Sequence, residues 1–348
     1  MDPHTGKRYL VVCTLRIGDV LLTTPVIRSI RQYDASARID VLVLEGMSGI
    51  LEGNPDIDHI RITPHRSGFM GRMKELATLW RRYDVALTPV SSDRARWYCF
   101  IAGKTAVGPY NPHSAWLSVR LLKKRVLFDD LQTHTVVMGL RVLDLLGIPR
   151  QYEVIPPTTG GSIPGSLQGR SYAVLHPYPK FRYKMWPQSH WVALARHLQE
   201  RGMTVVLSGA AEAEEMRYVS EIAQSCEALN LCGSLSLAQV ADLLAGAQLY
   251  VGPDTGITHV AAASGIPTIA LFGPSNPVKW GPWPSGYRGD ESPWAMKGSQ
   301  HVGNVSLIQG EGDCVPCREE GCDRHRDSYS RCLDSLSVSR VLAATDQV

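Results

Sequence analysis

A chain of 348 residues is long for one domain of ordinary size and comfortable for two, each with its own core. Hydrophobic residues at 44% and charged residues at 20%, with no low-complexity tract, describe a globular protein and exclude a disordered or fibrous one. A net charge of +3 is far from the dense Lys/Arg footprint of a dedicated nucleic-acid binder, so no nucleic-acid partner is expected.

The first residues enter a strand-like run almost at once, without the apolar core and small-residue cleavage site of a secretory leader. No apolar run approaches the roughly 20 residues needed to span a bilayer. The expected location is cytoplasmic. Strand-like runs at 9–13, 39–44, 58–62 and 85–87 alternate with helix-period segments at 20–31 and 70–80, the pattern of a parallel sheet wrapped by helices. A further helix over 134–146 stops at Gly147, with Pro149 behind it. Residues 155–169 turn to Pro, Gly and Ser with little to bury and read as the linker. The same rhythm then restarts, with strands at 172–176, 204–208, 229–231, 249–251 and 268–272 and helices at 189–201, 212–224, 236–245 and 256–264. Two Rossmann-like domains are expected, 1–158 and 170–348, facing each other across a cleft. In such sheets ligands lie beyond the carboxyl ends of the strands.

Three turns after strands are candidates for chemistry. Gly18 permits a tight backbone between the first strand and helix, and places Asp19 at the helix start; capping of free N–H groups is the plainer reading of that Asp. The turn Gly252 to Gly256, holding Asp254 and Thr255, offers backbone N–H groups and the positive end of a helix dipole to a diphosphate. His259, one turn further, points into the same region or simply packs. The third turn, His176 to Pro187, is basic and aromatic, and its Lys184 could offset the charge of a leaving nucleotide diphosphate.

The core R-I-G-D-V-L-L-T-T-P at 16–25, K-x-W-P at 184–187, and G-P-D-T-G-x-x-H at 252–259 followed by A-x-x-G-x-P-T-x-x-L-F-G-P ending at Pro274 together resemble glycosyltransferase family 9, the ADP-heptose lipopolysaccharide heptosyltransferases. The resemblance implies a GT-B fold, an N-terminal acceptor domain, a C-terminal donor domain, and inverting transfer with no metal or other cofactor in catalysis. It implies ADP-heptose as donor and the inner core of lipopolysaccharide as acceptor. By the same resemblance Asp19 is the general base, Lys184 contacts the donor phosphates, Gly18, Asp254, Thr255, Gly256 and His259 belong to the donor site, and an acidic residue after the strand at 204–208 touches the ribose. Glu212 and Glu214 both qualify for that last place, with Glu212 taken as the candidate. A glycine usual in the loop after His176 is replaced here by Tyr178. Related readings are a protein O-heptosyltransferase, another sugar, or a noncatalytic nucleotide-sugar-binding protein, against which the pairing of Asp19 with Lys184 argues.

The tail, 314–332, carries Cys314-x2-Cys317-x4-Cys322-x9-Cys332, four soft donors with metal-ligand spacing at the first pair. A structural zinc or iron, free thiols and disulfides formed on isolation all remain open. Arg94, Arg96, Arg120 and Lys123, with Lys124 and Arg125, are candidates to meet an anionic acceptor, although a charge run is usually a solvated face. Trp116 and Leu117 beside them suggest peripheral contact with the inner leaflet of the inner membrane.

Overall fold

The computed structural model describes residues 6–66, 68–161 and 164–347. The chain divides into two compact units, Met1–Ile155 with Arg288–Ser292, and Pro156–Tyr287 with Pro293–Val348. The return of 288–292 to the first unit is invisible to a reading that assigns everything after 170 to the second. It is held there by Asp290, which accepts from Tyr152 Oη at 2.5 Å and pairs with Arg150.

The first unit runs β1 (Arg8–Cys13), α1 (Ile17–Leu21), α2 (Thr24–Tyr33), β2 (Arg38–Leu44), β3 (His59–Thr63), α3 (Phe69–Leu79), β4 (Tyr83–Leu87), α4 (Asp93–Ala102), β5 (Gly103–Tyr110), α5 (Trp116–Arg120), β6 (Lys124–Leu127) and α6 (Thr135–Asp144). Its six strands are all parallel, in the order β3-β2-β1-β4-β5-β6. That is a doubly wound sheet with its strand order reversing between β1 and β4. The single helix expected over 20–31 is two helices. Pro25 stands in the first turn of α2, where its missing N–H costs nothing, and its ring cannot follow an unbroken helix. Leu10, Val12, Ala86, Tyr98 and Cys99 are among the residues of a buried cluster of β1, β4 and α4.

The second unit runs β7 (Tyr172–Leu175), α7 (Gln188–Glu200), β8 (Thr204–Leu207), α8 (Ala213–Cys226), β9 (Leu229–Asn230), α9 (Leu237–Ala245), β10 (Leu249–Pro253), α10 (Gly256–Ala263), β11 (Thr268–Phe272), α11 (Pro277–Trp280), β12 (Gln300–Val302), β13 (Val305–Gln309), α12 (Arg331–Asp334) and α13 (Val338–Thr345). Its sheet has the order β12-β13-β11-β10-β7-β8-β9, parallel except for the β12–β13 pair. The order reverses between β7 and β10. Trp186 and Trp191 cross edge to face at 5.1 Å in its core, packed with Leu194, Leu207, Val251 and Leu271.

Among its described residues the linker expected at 155–169 holds a 3-10 turn, Gly165–Leu167, and its Ser162 and Ile163 lie outside the described residues. Its first part is tied to α9 by Thr158 Oγ1 and the Thr159 N–H, which donate to Asp242 at 2.5 and 2.9 Å. Among the described residues no helix is long and apolar enough to cross a membrane.

Candidate active site

In the first unit the turn after β1 lies where the strand order reverses, so α1 starts over the crevice that this reversal opens. Asp19 is the third residue of α1 and is buried; its Oδ2 accepts the Arg16 N–H at 3.2 Å. The capping role expected of it is therefore real. The same bond fixes the carboxylate at the carboxyl end of the central strand. Cys13, the last residue of β1, has its thiol pKa pushed well up, first by burial and then by the neighbouring charge of Asp19.

In the second unit three loops meet at the carboxyl ends of the adjacent strands β7, β10 and β11. The loop after β7 forms a 3-10 turn, Arg182–Lys184. From it Lys184 Nζ reaches Asp254 after β10, at 2.5 Å to Oδ2 and 3.2 Å to the Asp254 carbonyl oxygen. Both side chains are largely buried, at 17% and 9% exposure. Burial pushes the Asp254 pKa up, but Lys184, a hydrogen bond from Ser275 and His259 outweigh it and leave the carboxyl below its usual range. Neither Asp254 nor Thr255 is a side-chain cap: Asp254 is engaged with Lys184, and Thr255 stands at the N-cap of α10 without a capping bond from its hydroxyl. Gly252 is required by contact, since a β-carbon there would lie 2.1 Å from the Tyr250 hydroxyl. That hydroxyl in turn meets Thr258 Oγ1 at 2.9 Å.

His259 is buried beside this pair, and its pKa falls to about 4, chiefly through burial and against the pull of Asp254. It is a neutral imidazole at neutral pH, and its Nδ1 has no hydrogen-bond partner among the described residues. The site therefore holds one ammonium, one carboxylate and one neutral ring at the N-terminal end of a helix.

The family model for glycosyltransferase family 9 (heptosyltransferase) matches residues 72–290, more than half of the chain. The chain belongs to glycosyltransferase family 9. This family 9 enzyme is 28% identical to lipopolysaccharide heptosyltransferase 3 of Escherichia coli, over 95% of this chain and 96% of that one. Its structure is similar to the family 9 glycosyl transferase of Veillonella parvula, with a TM-score of 0.73, 18% identity, and coverage of 100% and 98%. It is likewise similar to the E. coli heptosyltransferase WaaC solved with ADP, with a TM-score of 0.72, 20% identity, and coverage of 98% and 99%. The two Rossmann-like domains are those of the GT-B fold.

Elsewhere in this glycosyltransferase the sequence candidates separate. Glu212 is exposed at the N-cap of α8, and Glu214, also exposed, hydrogen-bonds Tyr178. The acidic residue that is buried against the loop is the next one, Glu215. Its Oε1 accepts the Ala210 N–H at 2.8 Å, and burial, with a smaller push from Glu212, raises its pKa to about 7. The spacing did not distinguish it; only its place on the inward face of α8 does. Arg120 and Lys123 are exposed, Arg120 lying over the Trp116 ring at 5.1 Å, and Trp116 and Leu117 are exposed with them. Arg94 is partly spent on the Pro64 carbonyl at 2.8 Å.

Arg96 corrects the expectation of a solvated basic face. It is 1% exposed, and its guanidinium donates to the Pro109 carbonyl, Asp93, Ser91, Ser114 and Ser118 at 2.6–3.2 Å. It is a scaffold for the loops after β4 and β5 and cannot meet an acceptor.

Among the described residues none of the four tail cysteines is in a disulfide. Cys332 is buried, and its pKa rises to about 12, first through burial and then through Cys317, Cys322 and Cys314 nearby. Among the described residues no three His, Cys, Asp or Glu side chains are arranged to hold a metal ion.

Proposed function

We propose that this family 9 enzyme transfers heptose from ADP-heptose to the inner core of lipopolysaccharide, with inversion at the anomeric carbon and no metal in the chemical step. The observation that carries the reading is the buried Lys184–Asp254 pair at the start of α10, beside a neutral His259. A nucleotide diphosphate brings at least two negative charges, and here the Lys184 ammonium lies at the N-terminal end of α10. Lys184 and the N–H groups of Thr255 and Gly256 take the diphosphate, Asp254 orients the lysine, and Glu212 is the residue proposed to meet the ribose. In the first unit Asp19, with Gly18 shaping its turn, takes the proton from the acceptor hydroxyl as its oxygen attacks the anomeric carbon. The bond to the diphosphate oxygen breaks on the opposite face, and Lys184 stabilises the charge that ADP carries away. One base and one displacement give inversion.

The acceptor reading draws on the E. coli relative named for lipopolysaccharide, and the nucleotide reading on the heptosyltransferase solved with ADP. Arg94, Arg120 and Lys123 are the basic side chains proposed to meet the acceptor in a cytoplasmic enzyme resting on the inner leaflet. Domain 1–158 then holds the acceptor and domain 170–348 the donor. Acceptor-dependent ADP release from ADP-heptose tests the reading. Asp19→Asn is expected to lower kcat by about 100-fold or more while ADP affinity stays within about twofold. Unchanged turnover would remove Asp19 as the base, and release with a polypeptide but no core oligosaccharide would move the acceptor to protein.

A structural zinc or iron is proposed on Cys314, Cys317, Cys322 and Cys332, whose soft sulfurs suit either ion. The thiols would have to draw together around it. Metal analysis of the purified enzyme is expected to give one equivalent, lost in Cys314→Ser/Cys317→Ser; a metal-free native enzyme would leave four plain thiols.

A further inference from the structure

The cysteine-bearing tail reaches the donor loops by backbone and side-chain bonds that the reaction itself does not call for. Ser330 Oγ donates to the Tyr183 carbonyl at 2.6 Å, in a position only 3% exposed. Tyr183 is the middle residue of the 3-10 turn and immediately precedes Lys184. Two residues beyond Lys184, the Trp186 indole donates to the Leu336 carbonyl at 2.8 Å. The turn that carries the ammonium is thus tied on one side to the tail, at Ser330, and on the other to Leu336 in the segment that follows it. The tail also reaches the other member of the pair: the Arg318 N–H donates to the Pro274 carbonyl at 2.8 Å, next to Ser275, whose side chain hydrogen-bonds Asp254. Between these ties the tail is packed hard onto the sheet. A β-carbon on Gly310 would lie 2.1 Å from the Cys332 carbonyl oxygen, and one on Gly273 would lie 2.7 Å from the Leu333 side chain.

We propose that Ser330 is a positioning residue for Lys184, and that the tail is the brace that sets the affinity of the donor site for a nucleoside diphosphate. The inference rests on the reading of Lys184 as a diphosphate contact. The bond from Ser330 to the Tyr183 carbonyl is buried, so loss of the hydroxyl removes a fixed tie on the short turn and lets the turn shift. Lys184 hangs from that turn on a flexible four-carbon stem, and a displaced stem loses its fixed aim at Asp254 and at the phosphates.

The test is calorimetric titration with ADP of the wild type, Ser330→Ala, Ser330→Cys, Lys184→Ala and the double variant Ser330→Ala/Lys184→Ala, with KM measured for donor and acceptor. Ser330→Ala is expected to weaken ADP by about five- to tenfold, the scale of one buried hydrogen bond. Donor KM should rise with it and kcat should fall, because Lys184 also stabilises the leaving diphosphate, while acceptor KM stays near the wild type. Ser330→Cys keeps the volume with a poorer donor and should shift in the same direction, which guards against a folding defect in the alanine variant. In the Lys184→Ala background Ser330→Ala should change ADP affinity no further. Wild-type ADP affinity in both Ser330 variants, with only a lowered melting temperature, would overturn the inference and leave Lys184 standing. Additive losses in the double variant would overturn the route through Lys184. Wild-type affinity in Lys184→Ala would overturn the lysine reading and this inference with it.

Discussion

His259 shows how one buried ring links the proposed donor site to pH. Its folded pKa of about 4 lies below the ordinary histidine value of 6.5, chiefly because burial excludes the charged form, against Asp254 and with Lys184. The unfolded chain therefore binds a proton between pH 6.5 and 4 that the folded chain refuses, and stability falls as pH drops through that window. His176, hydrogen-bonded to Ser208 at 3.1 Å, has the same folded value and contributes with the same sign. Glu215 acts oppositely: raised from 4.5 to about 7, it stabilises the folded state at low pH and loses that contribution as pH rises to 7. His259→Gln should flatten the acid loss relative to wild type, measured as the difference in urea unfolding free energy between pH 7 and pH 5. An identical pH dependence in both proteins would show that His259 titrates normally.

At the scale of elements, α4 and its surroundings illustrate what local pattern hides. The buried positions Ala95, Tyr98, Cys99 and Ala102 of α4 stand at helical spacing, but apolar Trp97, Phe100 and Ile101 between them blur the period, and β5 follows α4 without an intervening loop, so neither helix nor strand stood out in the sequence. What orders it is Arg96, whose donors satisfy one carbonyl, one carboxylate and three hydroxyls across α4, α5 and the loops between. Arg96→Ala should cost about 2–4 kcal/mol by leaving those acceptors unpaired around a void, read as a lower unfolding midpoint. A change below about 0.5 kcal/mol, the scale of a surface substitution, would contradict the burial. By contrast, the turns at Gly18–Asp19 and Gly252–Gly256 were legible beforehand. Strand, small polar turn and helix follow one another within a dozen residues there, and the chemistry of a turn is set by the residues in it.

For the whole molecule, each unit closes its own doubly wound sheet and carries its candidate residues where that sheet's strand order reverses. ADP is expected to engage the second unit, and at 100 times its Kd should stabilise it by about 2.7 kcal/mol. Hydrogen exchange should then show protection rising over 252–259, an effect reduced in Lys184→Ala; protection confined to the first unit would misassign the donor domain. The alternation of strands and helices, the break near 155–169 and the three motif turns were set by the sequence alone, because periodicity and turn chemistry act over a few neighbouring residues. Only the tertiary structure decided that Lys184 meets Asp254 seventy positions away, that Glu215 and Arg96 turn inward, and that Ser330 reaches Tyr183 across 147 positions. Burial and pairing at such separations depend on how the sheets close, and no window of local sequence contains that closure.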